Sequence, residues 1–242
     1  MGHGADSAAG GGIHRFTGVS MPVEIVAHRG ANREAPENTL PAFQRALELG
    51  VQGIELDIQL TRDGVPVVRH DPDLPPAPHE EHAVPIASLT MAELRWRSEV
   101  PALDEVLDLV AGRCRLYIEI KAAAAVESVV QRVRARHSWC AVHSFDHRTV
   151  AQAESLAPEL STGILLVSYL VDVVSAMRAA RARDLWQQAD FIDRALVERV
   201  HDAEGRVVAW TVNDVDRARA LAKLKVDAIC TDAPGELLTA LH

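Results

Sequence analysis

The sequence predicts an α/β protein, a single (β/α)8 TIM barrel with a short hairpin-like excursion after its second strand. Three observations predict it: short apolar runs recur along the chain, amphipathic helical patterns separate most of them, and no internal linker rich in Pro or Gly breaks the alternation. The 242 residues and 48% apolar composition suit either two small domains or one large barrel. The unbroken alternation selects the barrel, placed at residues 23–242 behind a leader at residues 1–22.

The leader, which begins MGHGADSAAGGGIHRFTGVS, has no apolar signal-peptide core and reads as flexible, with His3 and His14 as tail residues. VEIVAH (23–28) is the first strand. TLPAFQRALELG then places Leu40, Phe43, Ala46 and Leu47 on one helical face, with Thr39 as the cap and Gly50 as the stop. GIELDIQLT (53–61) and VPVVRH (65–70) are joined only by Arg62, Asp63 and Gly64, too few for a parallel crossover and right for a hairpin. The second run is therefore the excursion, and nine strand candidates reduce to eight barrel strands. DPDLPPAP (71–78) is a stiff surface loop.

PALDEVLDLVAG sets Leu103, Val106, Leu107 and Val110 on one face and leads into the strand CRLYIEIK (114–121). AAAAVESVVQRVRARH does the same with Val126, Val129, Val130 and Val133 before CAVHSF (140–145). TGILLV (162–167), ADFID (189–193), VVAWTV (207–212) and DAICT (227–231) supply the remaining strands. Between the last two, a helix capped by Asn213 presents Val215, Ala218, Leu221 and Ala222.

Charge and cysteine usage narrow the partners. With 34 acidic against 25 basic residues the net charge is -9, which disfavours nucleic acid but leaves room for a local basic pocket around an anion. Cys114, Cys140 and Cys230 are odd in number, widely spaced and set in apolar runs, as expected of reduced cysteines in the cytoplasm. No run reaches the roughly 20 apolar residues of a spanning helix, so stable membrane insertion is not expected.

The chemistry gathers at the strand ends. Glu55 and Asp57 stand two apart on one strand and so share a face, and Glu119 and Lys121 repeat the spacing on the next. Taken singly, such a residue is usually a solvated rim group. Together with His28 from the first strand, the carboxylates converge at the C-terminal mouth, where a hard divalent cation would relieve both desolvation and repulsion. Oxygen ligands favour Mg²⁺ or Ca²⁺ over Zn²⁺. His28 and His70 each end a strand-like run, and imidazole titrates near neutrality, which suits proton transfer. Arg29 and Lys121 are natural phosphate partners. The whole set describes phosphodiester cleavage better than glycoside hydrolysis, which has no use for the two cations. Further along, HSFD offers His143 and Phe145, AWTVND offers Trp210 and Asn213, and Asp232 and Pro234 shape the rim; His82, His137, His147 and His201 read as surface or loop residues.

VAHRGANREAPENT, GIELDIQLTRDGVPVVRHD, YIEIK, HSF, WTVN and ICTDAP together resemble the glycerophosphodiester phosphodiesterase family, TIM barrels similar in their core to phosphatidylinositol-specific phospholipases C. The resemblance spans about Ile25 to Leu238. It implies Glu55, Asp57 and Glu119 as ligands of Mg²⁺ or Ca²⁺, His28 and His70 as general acid and base, Arg29 and Lys121 near the phosphate, and Phe145 and Trp210 bordering the glycerol or alcohol. It further implies hydrolysis of a small-molecule glycerophosphodiester to glycerol 3-phosphate and an alcohol, through a cyclic phosphate.

The sequence departs from the family after His70-Asp71, where DPDLPPAPHEEHAVPIASL (71–89) replaces a leucine, an Arg-Thr pair and a glycine-bearing loop. Glu80 and Glu81 there would favour a cationic head group, and no hydrophobic tip is evident in that segment. Glycerophosphocholine or glycerophosphoethanolamine is therefore expected ahead of a lysophospholipid. The rivals are a lysophospholipase D-like barrel and a barrel that binds a phosphodiester without cleaving it.

Overall fold

The computed structural model describes residues 23–78, 80–136 and 139–242, so the expectations for the leader and for His137 lie outside the described residues. Seven of the apolar runs and one polar segment form eight parallel strands: β1 (Glu24–Ala27), β2 (Gly53–Leu60), β6 (Arg115–Ile120), β7 (Cys140–Ser144), β8 (Ser161–Leu166), β9 (Asp184–Gln188), β10 (Arg206–Trp210) and β11 (Ala228–Thr231). They pair in sequence order and close through β1 with both β11 and β2. The excursion β3 (Pro66–Val68) runs antiparallel to β2, with Ile58 opposite Val68. The loop beyond it folds into a two-residue ladder, β4 (Asp73–Leu74) with β5 (Val84–Pro85), and a helix, α2 (Met91–Arg97). Leu74, Ile86, Leu89 and Leu94 gather on Val67 as a satellite core, so this proline-rich segment is anchored.

Among the described residues, eight further helices surround the barrel: α1 (Leu40–Leu49), α3 (Leu103–Val110), α4 (Val126–Ala135), α5 (His147–Leu156), α6 (Val173–Ala179), α7 (Arg194–Asp202), α8 (Val215–Lys223) and α9 (Pro234–Leu241). Thr39 caps α1 through its hydroxyl, and Gly50 ends it in the left-handed region at φ 79°. The predicted faces of α3 and α4 are buried. Among the described residues, no helix is long and apolar enough to cross a membrane.

Two placements differ from the sequence expectation. The sixth barrel strand is DLWQQ, and ADFID only begins with a 3-10 turn over Ala189–Phe191 and then runs to Asp193, the cap of α7. The polar residues of β9 hide it from a hydrophobicity pattern, yet they are used: Asp184 joins an ionic group at the barrel floor, and fully buried Gln187 donates to the carbonyls of Leu166 and Ser168. The cap of α8 is Asp214, not Asn213, because Asn213 is taken by the strand beside it.

The lumen is packed. Val26, Tyr117, Ala141, Leu165, Trp186, Val208, Ala228 and Cys230 fill it from every side. Below them Arg206 bridges Glu24 (2.7 Å) and Asp184 (3.5 Å), and the Tyr117 hydroxyl donates to Glu24 at 2.9 Å. That polar floor leaves the opposite, C-terminal mouth as the place where strand-end chemistry meets solvent.

Candidate active site

The mouth is built outward from β2. Glu55 and Asp57 both point to the lumen face, and the parallel register sets Asp57 beside Glu119 and Glu119 beside His143. Glu55, Glu119 and His143 each place a donor atom within 4.8 Å of the others, an arrangement able to hold a metal ion. His143 is 1% exposed, its ring stacked on Trp186 at 4.0 Å and 4°, and its Nδ1 has no partner. Burial pulls this imidazole down to about 3, so it is neutral and offers a lone pair.

Asp57 stands apart within the same wall. Lys121 Nζ lies 3.2 Å from one carboxylate oxygen, while Arg29 Nε at 3.1 Å and the Asn38 amide at 2.8 Å hold the other. Burial pushes the Asp57 carboxyl up, but Lys121 and Arg29 outweigh it and keep the group below the usual carboxylate range. Glu55 moves the opposite way: burial, then the charges of Asp57 and Glu119, drive it well above that range. Burial and Asp57 also raise Glu119, even though Lys121 approaches it at 2.8 Å. Adjacent carboxyls pushed apart in this manner mark a site short of positive charge.

His28 is fixed from behind. Its Nδ1 is 2.6 Å from Asp232, and Asn32 and Asn213 donate to the two oxygens of the same carboxylate at 2.6 and 2.7 Å. Burial opposes ionisation of Asp232, yet these bonds hold it well below the usual range. An ionised Asp232 accepts a hydrogen bond from Nδ1–H, which leaves Nε2 facing the site, 4.0 Å from Glu55. The loop that follows is tightly specified. Arg29 and Asn38 both adopt φ 57°, and Gly30 adopts φ 84° where a side chain would meet the backbone of Ala42 at 2.7 Å. That turn aims the Arg29 backbone N–H at Glu55 (3.0 Å) and its guanidinium at Asp57 and Glu37.

A cavity of about 70 Å³ collects these groups: His28, Arg29, Glu55, Glu119, Lys121 and His143 line it, together with His70, Phe145 and Trp210. His70 stands on its rim with Nδ1 2.8 Å from Asp71. Phe145 and Trp210 meet edge to face at 5.6 Å. The sequence profile of the glycerophosphoryl diester phosphodiesterase family matches residues 28–236, which begin at this His28. The chain belongs to that family.

As a member it is an enzyme, a phosphodiesterase barrel. The glycerophosphodiester phosphodiesterase of Caldanaerobacter subterraneus is 30% identical over 236 residues, covering 90% of this chain and 97% of the relative. The crystal structure of the Thermotoga maritima glycerophosphodiester phosphodiesterase superimposes with a TM-score of 0.79 at 26% identity, over 90% and 97% of the two chains. An Oleispira antarctica phosphodiesterase in complex with the product sn-glycerol-3-phosphate shares the fold, with a TM-score of 0.82 at 24% identity over 90% of this chain and 96% of that one.

All nine residues singled out from the sequence stand in or beside this one cavity of the family barrel, with Asp57 held behind Arg29 and Lys121. Sequence reasoning placed Asp232 at the rim but missed its contact with His28, the supporting residues Asn32 and Asn38, and the place of His143 beside Glu119. The signal for His143 was present, since HSF follows YIEIK as the next barrel strand. Asp232 required the closure of β11 onto β1, which joins residues 204 positions apart. The 71–89 loop also differs in effect from its composition: Glu80 is tied to Arg97 at 2.7 Å, so it holds the loop rather than a substrate.

Proposed function

We propose that the protein hydrolyses glycerophosphodiesters to glycerol 3-phosphate and an alcohol, with His28 and His70 transferring protons and one divalent cation, Mg²⁺ or Ca²⁺, at the carboxylate cluster. The observation that carries this is the convergence of the Glu55, Glu119 and His143 donors with Arg29 and Lys121 at one mouth of a barrel of this family. The donor set fits a cation: two carboxyls raised by burial and mutual repulsion, and a neutral buried imidazole with an unpartnered nitrogen. Asp57 is assigned to the same set from its place beside Glu119. The imidazole extends the choice of ion toward Mn²⁺. When bound, the cation supplies Lewis-acid stabilisation of charge on the phosphoryl oxygens.

The chain's own residues do the rest. Arg29 and Lys121 bind the phosphoryl group. One histidine withdraws the proton of the glycerol 2-hydroxyl as its oxygen attacks phosphorus, and the other protonates the departing alcohol. Water then opens the cyclic phosphate to glycerol 3-phosphate, with the proton transfers reversed. Phe145 and Trp210 wall the glycerol or alcohol portion, and Trp210 can add a cation-π contact of about 0.5 to 2 kcal/mol to choline. All three cysteines are free and buried, which supports a cytoplasmic setting.

A second reading, lysophospholipase D-like cleavage, is favoured by an apolar rim absent from the sequence expectation. Phe145, Val167, Tyr169, Val171 and Phe191, from the ends of β7 to β9, are all exposed, Val171 at 89%. A purified-protein panel of glycerophosphocholine, glycerophosphoethanolamine and lysophosphatidylcholine with Mg²⁺, Ca²⁺ or Mn²⁺, read by phosphorus NMR, separates the readings. Glycerol 3-phosphate from the first two is the expected result. Choline released only from the lysolipid promotes the second reading, and calorimetric binding of glycerophosphocholine without turnover makes the barrel a binding protein.

A further inference from the structure

The floor of the barrel, at the opposite end from the candidate active site, carries a second cavity of about 480 Å³. That size lies within the range of small-molecule sites, roughly 300 to 1,000 Å³. It opens beneath the first residues of β6, β7 and β8 and the residue before β9. Its wall is cationic in a chain of net charge -9, with Arg115, Arg134 and Arg183 against Glu159. Arg134 and Glu159 pair at 2.9 Å and cancel. Arg183 is exposed and has no carboxylate partner among the described residues.

Arg115 is the more telling group. It is only 7% exposed, its Nε has no partner, its guanidinium lies over the Tyr117 ring at 4.9 Å, and it reaches Asp184 no closer than 3.9 Å. A buried guanidinium N–H without an acceptor is costly, and an incoming oxyanion removes the cost. The Trp139 indole lines the same cavity and is 57% exposed, so an aromatic surface stands open at its edge. We propose that this floor cavity binds a phosphate-bearing small molecule with a planar ring, its oxyanions on Arg183 and Arg115 and its ring against Trp139.

Titration calorimetry on the full chain with AMP and with inorganic phosphate tests the assignment. One saturable AMP site is expected, bound more tightly than phosphate. Arg183→Glu should weaken AMP about tenfold or more, Arg183→Gln by less, and Trp139→Ala should bring AMP to the level of phosphate. Arg183→Glu should leave turnover unchanged, and Arg29→Ala, at the other mouth, should leave AMP affinity unchanged. Unaltered AMP binding in both Arg183 variants, loss of binding in Arg29→Ala, or no saturable heat with either probe would overturn the site. Equal affinity of AMP and phosphate in the wild type would remove the ring from it.

Discussion

Asp57 is the residue whose role is most sharply divided between sequence and structure. Its spacing from Glu55 marks it as a ligand, while its contacts with Arg29, Lys121 and Asn38 mark it as the counter-charge of the phosphate-binding cations. Asp57→Asn distinguishes the two. As a ligand, its loss sharply lowers both cation affinity and turnover; as a counter-charge alone, it lowers turnover and leaves calorimetric cation affinity at the wild-type value. The histidines divide similarly into a group that moves protons and a group that holds it. His28→Ala and His70→Ala should each cost roughly 10²- to 10⁴-fold in rate at unchanged far-UV circular dichroism. Asp232→Asn, which touches His28 but not the cavity, should cost less, about 10- to 100-fold, and do so in kcat more than in KM. An Asp232→Asn enzyme with wild-type kcat would show that the negative charge of Asp232 is not needed to orient the ring. The place of His28 and Arg29 at the mouth was legible because histidine, arginine and glycine at a strand end are rare in a packed core. Asp232 was legible as a rim residue but not as the partner of His28, because that contact forms only when the barrel closes.

At the scale of elements, period-two alternation located the two strands that carry most of the chemistry, β2 and β6, and three-residue separation located the hairpin to β3. The rule failed at β9, where Asp184 joins the floor, Gln187 satisfies neighbouring carbonyls and Gln188 pairs with Asp190 instead of adding apolar surface. The helices that follow β7, β8, β9 and β10 start on Asp146, Asp172, Asp193 and Asp214, a repeated side-chain cap that an apolar pattern does not register. Trp186 shows what β9 supplies. It is 2% exposed, meets Tyr117 edge to face at 5.2 Å and backs the His143 ring. Trp186→Ala should lower stability by about 3 to 5 kcal/mol, measured by urea unfolding, through the cavity it leaves. It should also weaken cation binding by releasing His143. Destabilisation with unchanged cation affinity would separate the stack from the donor cluster.

At the scale of the whole molecule, the mouth of the barrel gathers the carboxylates of Glu55, Asp57 and Glu119 against the cations Arg29 and Lys121, and that imbalance gives the protein a pH signature. Glu55 and Glu119 are raised above their ordinary value of 4.5 by burial and neighbouring carboxylates. For a carboxyl raised on folding, the folded state prefers the proton. Its stabilising contribution is therefore full below the ordinary value and is lost as pH rises through the raised one. Asp57 and Asp232 are held below their ordinary 3.8, so their contributions are present above that value and lost only as pH falls further into acid. The interval above 6.5 separates the glutamates from His143, whose imidazole, depressed by burial, adds stability as pH rises toward its ordinary 6.5; Asp184, raised by burial at the floor, carries the same sign as the glutamates. Across that interval, chelator-treated protein should lose thermal stability as pH rises. A divalent cation binds the ionised carboxylates and must displace protons at lower pH, so the gain in Tm on adding Mg²⁺ or Ca²⁺ should grow over the same interval. Scanning calorimetry in chelator and in saturating cation, across matched buffers, measures both trends. A cation-induced gain independent of pH would place the ion away from Glu55 and Glu119, and no gain at any pH would remove the cation from the mouth of the barrel.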